Sequence, residues 1–201
     1  MAVSYLNKKI KKYLEELSAR SMVPGGGSAA ALTAALGAGL NLMVINFSIK
    51  KDAGEAENKE FVVLRGKQEE SIRKLAAAVD EDCAVFTDLM GALKEKKPLE
   101  QKYKRAAMVP MSVCRECCES MEVAAFLLGG NKNLITDVGS AACMLRAGFF
   151  ASALNVSINL KYIKDEGFVR EAEEELGNMS KKIESLESEI TRHVSEKVKQ
   201  G

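Results

Sequence analysis

Apolar positions recur along most of this chain at spacings of three and four residues, and no stretch alternates apolar with polar as a strand would. Val3, Leu6, Ile10, Leu14 and Leu17, with lysines and glutamates between them, predict an amphipathic helix from about residue 3 to residue 20. Ser21-Met22-Val23-Pro24-Gly25-Gly26-Gly27 ends it, because proline and three glycines do not continue a helix. Ser28 stands where an N-cap belongs, and a second helix follows. That helix has no polar face: no charged residue occurs from Ser21 to Ile49, a run longer than the roughly 20 residues that span a bilayer. Its residues are mainly Ala and Gly rather than the Leu, Ile and Phe of a lipid-facing span, which favours a helix buried on all sides over a membrane span. Small residues at Ala30, Ala34 and Ala38, and again at Ala35 and Gly39, would let neighbouring helices approach closely, and a second subunit would help to cover them.

The rest of the chain repeats the helical period. Phe61, Leu64, Gln68, Ile72, Leu75, Val79, Phe86, Met90 and Leu93 share the seam of a third helix over about 58–93, roughly 50 Å long. A fourth, over 99–128, contains Pro110 and should kink or break near Met108 before Gly129-Gly130 end it. A fifth runs from Thr136 or Asp137 to about Lys164 with Ala141, Leu145, Phe149, Val156 and Leu160 inward. In the sixth, Phe168, Ala172, Leu176, Met179, Ile183, Leu186, Ile190, Val194 and Val198 alternate with charge, as in a surface or coiled-coil helix. The expected fold is a single all-α domain over 1–201, a bundle of long, mostly antiparallel helices.

Composition narrows the chemistry. Of 201 residues, 29 are basic and 28 acidic, so a formal charge of +1 gives no support for a nucleic-acid surface. Five cysteines, an odd number lying in helix-like segments, read as reduced thiols of a cytoplasmic protein, and without a basic region followed by an apolar run near residue 1 no secretory leader is expected. A single histidine, His193, excludes sites built on several imidazoles. Cys114, Cys117 and Cys118 have no second ligand pair at zinc spacing, so they are expected as small core residues and no metal is expected.

Three places could carry chemistry. Pro24-Gly25-Gly26-Gly27-Ser28 precedes a helix, where free N–H groups can receive an anion; it equally suits a tight turn where no side chain fits. Asp82, within Asp80-Glu81-Asp82, shares a helical face with Leu75, Val79, Phe86, Leu89 and Leu93, while Asp80 and Glu81 face solvent. A carboxyl on that face is either a general acid or half of a structural pair. Gly130-Asn131-Lys132-Asn133 and Thr136-Asp137 form a polar loop that could cap the next helix or touch a heteroaromatic ligand. Asn155 and Asn159, one turn apart, read as inter-helix glue before ligand contacts.

Taken in order, Val23-Pro24-Gly25-Gly26-Gly27-Ser28-Ala29-Ala30-Ala31, Val79-Asp80-Glu81-Asp82-Cys83-Ala84-Val85-Phe86, Val109-Pro110, Gly130-Asn131, Thr136-Asp137 and Asn155-Val156-Ser157-Ile158-Asn159-Leu160 resemble the C-terminal domain of formiminotransferase-cyclodeaminases. The resemblance implies an all-α homodimer that converts 5-formimino-tetrahydrofolate to 5,10-methenyl-tetrahydrofolate and ammonia, with folate as substrate and no further cofactor. Stand-alone members similar in length are methenyl-tetrahydrofolate cyclohydrolases. The family's proton-donor aspartate is the second acid of its acid-x-acid motif and matches Asp82. The loop Pro24–Ser28, Asn131 and Asp137 match positions that line the folate pocket. Outside the enzyme class, the seam from Phe168 to Val198 would suit a helical assembly module.

Overall fold

The computed structural model describes residues 4–50 and 55–200. Among them lie six α-helices: α1 (Ile10–Leu17), α2 (Gly26–Ser48), α3 (Glu55–Lys94), α4 (Glu100–Leu127), α5 (Ile135–Leu160) and α6 (Glu166–Gln200). A single 3-10 turn, Lys132–Leu134, precedes α5, and no strand occurs among the described residues. Short connections make consecutive helices antiparallel neighbours from α2 to α6. The all-α bundle expected from periodicity is therefore the observed architecture.

The centre of the bundle is the packing of α2 against α5, and small residues set its distance. A Cβ on Gly148 would lie 2.9 Å from that of Ala34, and one on Gly37 would lie 2.9 Å from Leu145 Cγ. Ala30, Ala34 and Ala38 are buried as predicted, whereas a Cβ on Gly39 would meet nothing within 4 Å. The expectation of burial on all sides fails within one chain. Leu36 and Phe47 of α2 are 56% and 68% exposed, and Leu154 of α5 is 73% exposed. Both Gly26–Ser48 and Lys132–Leu160 are long and apolar enough to cross a membrane, by length and composition only.

Two other expectations change. The first helix is shorter than its apolar series and starts at Ile10; Val3 lies outside the described residues. Tyr5 and Tyr13 are the buried residues there, stacked edge to face, while Ile10 is 80% exposed. The fourth helix continues through Pro110 without a break. Proline cannot donate to the carbonyl four residues back, and Asn159 Nδ2 reaches that carbonyl, Ala106 O, at 3.2 Å.

The remaining seams pack as read. Ala172, Ile183 and Ile190 of α6 are buried, and Leu176, Met179, Leu186 and Val194 rest on the core, so most of the proposed assembly surface is used inside the chain. Cys114, Cys117 and Cys118 are buried with Met121 on the inner face of α4. Burial pushes the Cys114 thiol up to about 12 and Cys118 to about 11, which makes both poor nucleophiles.

Candidate active site

Antiparallel packing gathers four different helix ends at one end of the bundle. The N-terminus of α2, the C-terminal half of α3, the first turns of α4 and the last turns of α5 enclose a cavity of about 470 Å³. That volume falls within the range of small-molecule sites. Val85, Phe86, Leu89, Met90 and Val109 make its walls apolar, and no Lys, Arg or His among the described residues lines it.

Asp82 is the carboxylate in that wall, on the inward stripe that spacing assigned to it. It lies against the first turn of α2 so closely that a Cβ on Gly27 would fall 2.6 Å from Asp82 Cγ. Glycine at 27 is therefore what lets the two helices share this point. Partial burial pushes the Asp82 carboxyl above the ordinary aspartate value, and the backbone N–H of Ser28 pulls it back. The N–H groups of a helix N-terminus have no intrahelical partners, so an acid arriving from α3 serves as an external cap.

This corrects the role expected of Ser28. The N-cap is Gly25, without a side-chain bond, and Ser28 is the third residue of α2. Its side chain is fully buried, with Oγ 3.2 Å from the hydroxyl of Tyr13. Of the predicted loop, Gly25, Gly26 and Gly27 line the cavity, while Pro24, joined to Val23 by a cis bond, is buried outside the lining set. Asp80 is not free in solvent: its Oδ1 accepts the backbone N–H of Tyr5 at 2.6 Å, while Glu81 is exposed as expected.

Asn131 and Asp137 are not brought to this cavity within one chain. Asn131 caps the 3-10 turn by accepting the Asn133 N–H at 3.0 Å, and Asp137 sits in the first turn of α5. Along α5, Asp137 is roughly 27 Å from Asn155. Thr136 and Asp137 lie inside the helix rather than capping it, since α5 begins at Ile135.

Four polar residues outside the expected site set also line the cavity. Asn155 and Asn159, read first as glue, are in its wall, and their i, i+4 spacing was the available signal. Tyr103 and Tyr162 also line it as a parallel stack, centroids 4.8 Å apart, and nothing in their spacing announces the pairing of two segments so far apart in sequence.

Comparison with known proteins identifies the family and the fold. The family model for formiminotransferase-cyclodeaminase matches residues 9–178. A methenyltetrahydrofolate cyclohydrolase from Methylorubrum extorquens is 35% identical, over 96% of this chain and 98% of its own. The formimidoyltransferase-cyclodeaminase of Rattus norvegicus is 29% identical over 82% of this chain, which spans only 33% of that longer protein. The crystal structure of a formiminotetrahydrofolate cyclodeaminase from Thermotoga maritima superposes with a TM-score of 0.90, at 31% identity, covering 96% of this chain and 98% of that one. The chain belongs to the formiminotransferase-cyclodeaminase family.

Proposed function

We propose that this protein is an enzyme of one-carbon folate chemistry that converts 5-formimino-tetrahydrofolate to 5,10-methenyl-tetrahydrofolate and ammonia. The observation that carries the reading is a single carboxyl, Asp82, held on a helix N-terminus in an apolar cavity large enough for a pterin. Folate N10–H adds across the C=N bond of the formimino group, forming the N10–C bond and leaving an amino group on that carbon. The proton of Asp82 passes to this amino nitrogen, which departs as ammonia with its electron pair, and the methenyl cation remains. A positioned acid contributes about 10²–10⁴-fold to such a step, and holding N10 against the carbon contributes through orientation. Gly25–Ser28 turn the N-terminus of α2 toward the Asp82 carboxylate, which steadies the anion left by proton transfer.

Methenyl-tetrahydrofolate cyclohydrolase is the second reading, favoured by the relative of that name whose full length this chain matches. There water attacks the methenyl carbon and ionised Asp82 accepts its proton. One preparation assayed with both folates decides between them, and calorimetric titration with 5-formyl-tetrahydrofolate, a non-reacting analogue, tests the site. Absence of folate binding would overturn both readings.

The exposed apolar residues Leu36, Phe47 and Leu154 lie on the two helices that pack together at the centre, and we assign them to a homodimer interface rather than to lipid. Sedimentation equilibrium should return twice the chain mass, and Leu154→Glu should reduce it to one.

A further inference from the structure

Pro110 has no N–H, so the carbonyl of Ala106 lacks its helical donor. Asn159 replaces it, its Nδ2 donating to Ala106 O at 3.2 Å and to Asn155 O at 2.7 Å. Asn155 Nδ2 in turn donates to Ala151 O at 2.8 Å. Both amide nitrogens are thus committed to backbone carbonyls, which leaves the carboxamide oxygens as the acceptor ends of two side chains in the cavity wall. A Cβ on Gly26 would lie 3.8 Å from Asn155 Nδ2, just as one on Gly27 would strike Asp82. Asn155 and the acid therefore stand beside the same turn of α2. No basic side chain lines the cavity among the described residues, so the two amide oxygens are side-chain acceptors that join the Asp82 carboxyl and the N–H groups of the α2 turn as the polar groups of this wall, with two tyrosines beside them.

We propose that Asn155 and Asn159 are specificity-determining residues: their side-chain oxygens accept hydrogen bonds from the nitrogen of the formimino group and so select an N–H-bearing one-carbon unit over a carbonyl-bearing one. This rests on the folate reading above. A formimino nitrogen carries the hydrogens these acceptors require, and is a stronger donor when protonated. A formyl oxygen at the same place carries none and leaves both acceptors unpaired, which is the basis on which a polar site discriminates between near-isosteres. Pro110 acts through Asn159 as a positioning residue, since the carbonyl it leaves free fixes which end of the amide faces inward.

The test compares dissociation constants for 5-formimino- and 5-formyl-tetrahydrofolate by calorimetry, in an Asp82→Asn background in which turnover is slowed by about 10² or more. Asn155→Ala and Asn159→Ala should each weaken the formimino compound by about tenfold and leave the formyl compound within about twofold. Equal losses for both ligands would overturn the proposal by assigning the pair to the pterin ring, and no loss for either would reduce the pair to backbone partners. If the parent binds neither folate, the functional reading itself fails and this inference falls with it. Asn159→Ala strands the Ala106 carbonyl, so Pro110→Ala provides a variant that keeps the helix bonded: the restored N–H takes that carbonyl and releases Asn159. Its formimino-to-formyl preference should fall by about threefold; an unchanged preference would exclude the positioning role.

Discussion

The bundle has a cavity toward each end, and the larger one is the less suited to catalysis. Between the N-terminal half of α3 and the C-terminal half of α4 lies a groove of about 660 Å³. Most of its polar groups bond to one another: Gln68 Nε2 donates to Ser120 Oγ at 2.7 Å, Ser71 Oγ lies 3.0 Å from the same oxygen, and half-exposed Lys74 pairs with Glu116 at 2.6 Å, while Gln68 Oε1 is buried without a partner. The smaller cavity keeps its carboxylate unpaired with any cation among the described residues, and has in its wall two amides whose nitrogens are committed to backbone carbonyls. Volume measures where a ligand fits. A carboxyl set on a helix terminus in an apolar wall, and raised by its burial, marks where proton transfer is possible, because such a group is retained at a cost in stability.

Substitution at the two acids draws that contrast most sharply. Asp82→Asn should lower turnover by about 10² or more with the helical content unchanged in circular dichroism. Glu116→Gln, which breaks a half-buried pair in the other groove, should leave turnover within about twofold and cost about 1 kcal/mol in urea unfolding. A comparable loss of turnover in both variants would break the comparison. Gly27→Ala comes next: the new methyl displaces the Asp82 carboxyl from the α2 terminus, so turnover should fall by about tenfold or more, at a cost of about 1–3 kcal/mol.

These two residues also mark what could be read without coordinates. Asp82 was legible because a helix repeats every 3.6 residues, and an acid in phase with Leu75, Val79 and Leu89 must face inward. The glycine run was legible as a helix entry, but its meaning was not. Ser28 looked like the cap because capping was sought within the local sequence, whereas the acid that faces the first turn of α2 comes from α3. The same holds for Pro110. Sequence shows that Ala106 loses its helical donor, but only packing shows that Asn159 takes the place and α4 stays whole. Periodicity reports which face is buried, while the partner across a helix pair is a tertiary fact. The long apolar helix α2 was read as covered on all sides for the same reason: composition records that a face must be hidden, not which molecule hides it.

The pH dependence sharpens the assignment of the acid with a smaller effect. Burial raises the Asp82 carboxyl in the folded state, so its neutral form persists to higher pH than that of an ordinary aspartate. Cyclodeaminase turnover should decline as pH rises through that value, whereas cyclohydrolase turnover, which needs the ionised form, should rise. A group whose folded value is raised stabilises the fold below its unfolded value, and that contribution is lost as pH rises through the folded one. Asp82→Asn, neutral throughout, should therefore melt higher than the parent above that transition, with the gap closing toward acid. Thermal melts across pH read this directly, and a gap that widens toward acid would contradict the burial of Asp82.

The smallest effect belongs to the end of the bundle remote from the acid. Asn131 is occupied in holding a 3-10 turn, and Asp137 lies in the first turn of α5, where a negative charge opposes the helix dipole. Roughly 27 Å of helix separates Asp137 from Asn155, more than any side chain spans. Asn131→Ala and Asp137→Asn should therefore change the KM for folate by less than about twofold, while losing a few tenths of a kcal/mol from the cap and the dipole respectively. A tenfold rise in KM with unaltered melting would require the loop to reach a folate by another route. One such route is a second copy packed on the exposed face of α2 and α5 and contributing its own Asn131–Asp137 segment. The experiment that distinguishes the cases mixes Asp82→Asn with Asp137→Asn chains. Restored activity in the mixed dimer would mean that each pocket takes its acid from one chain and its loop from the other.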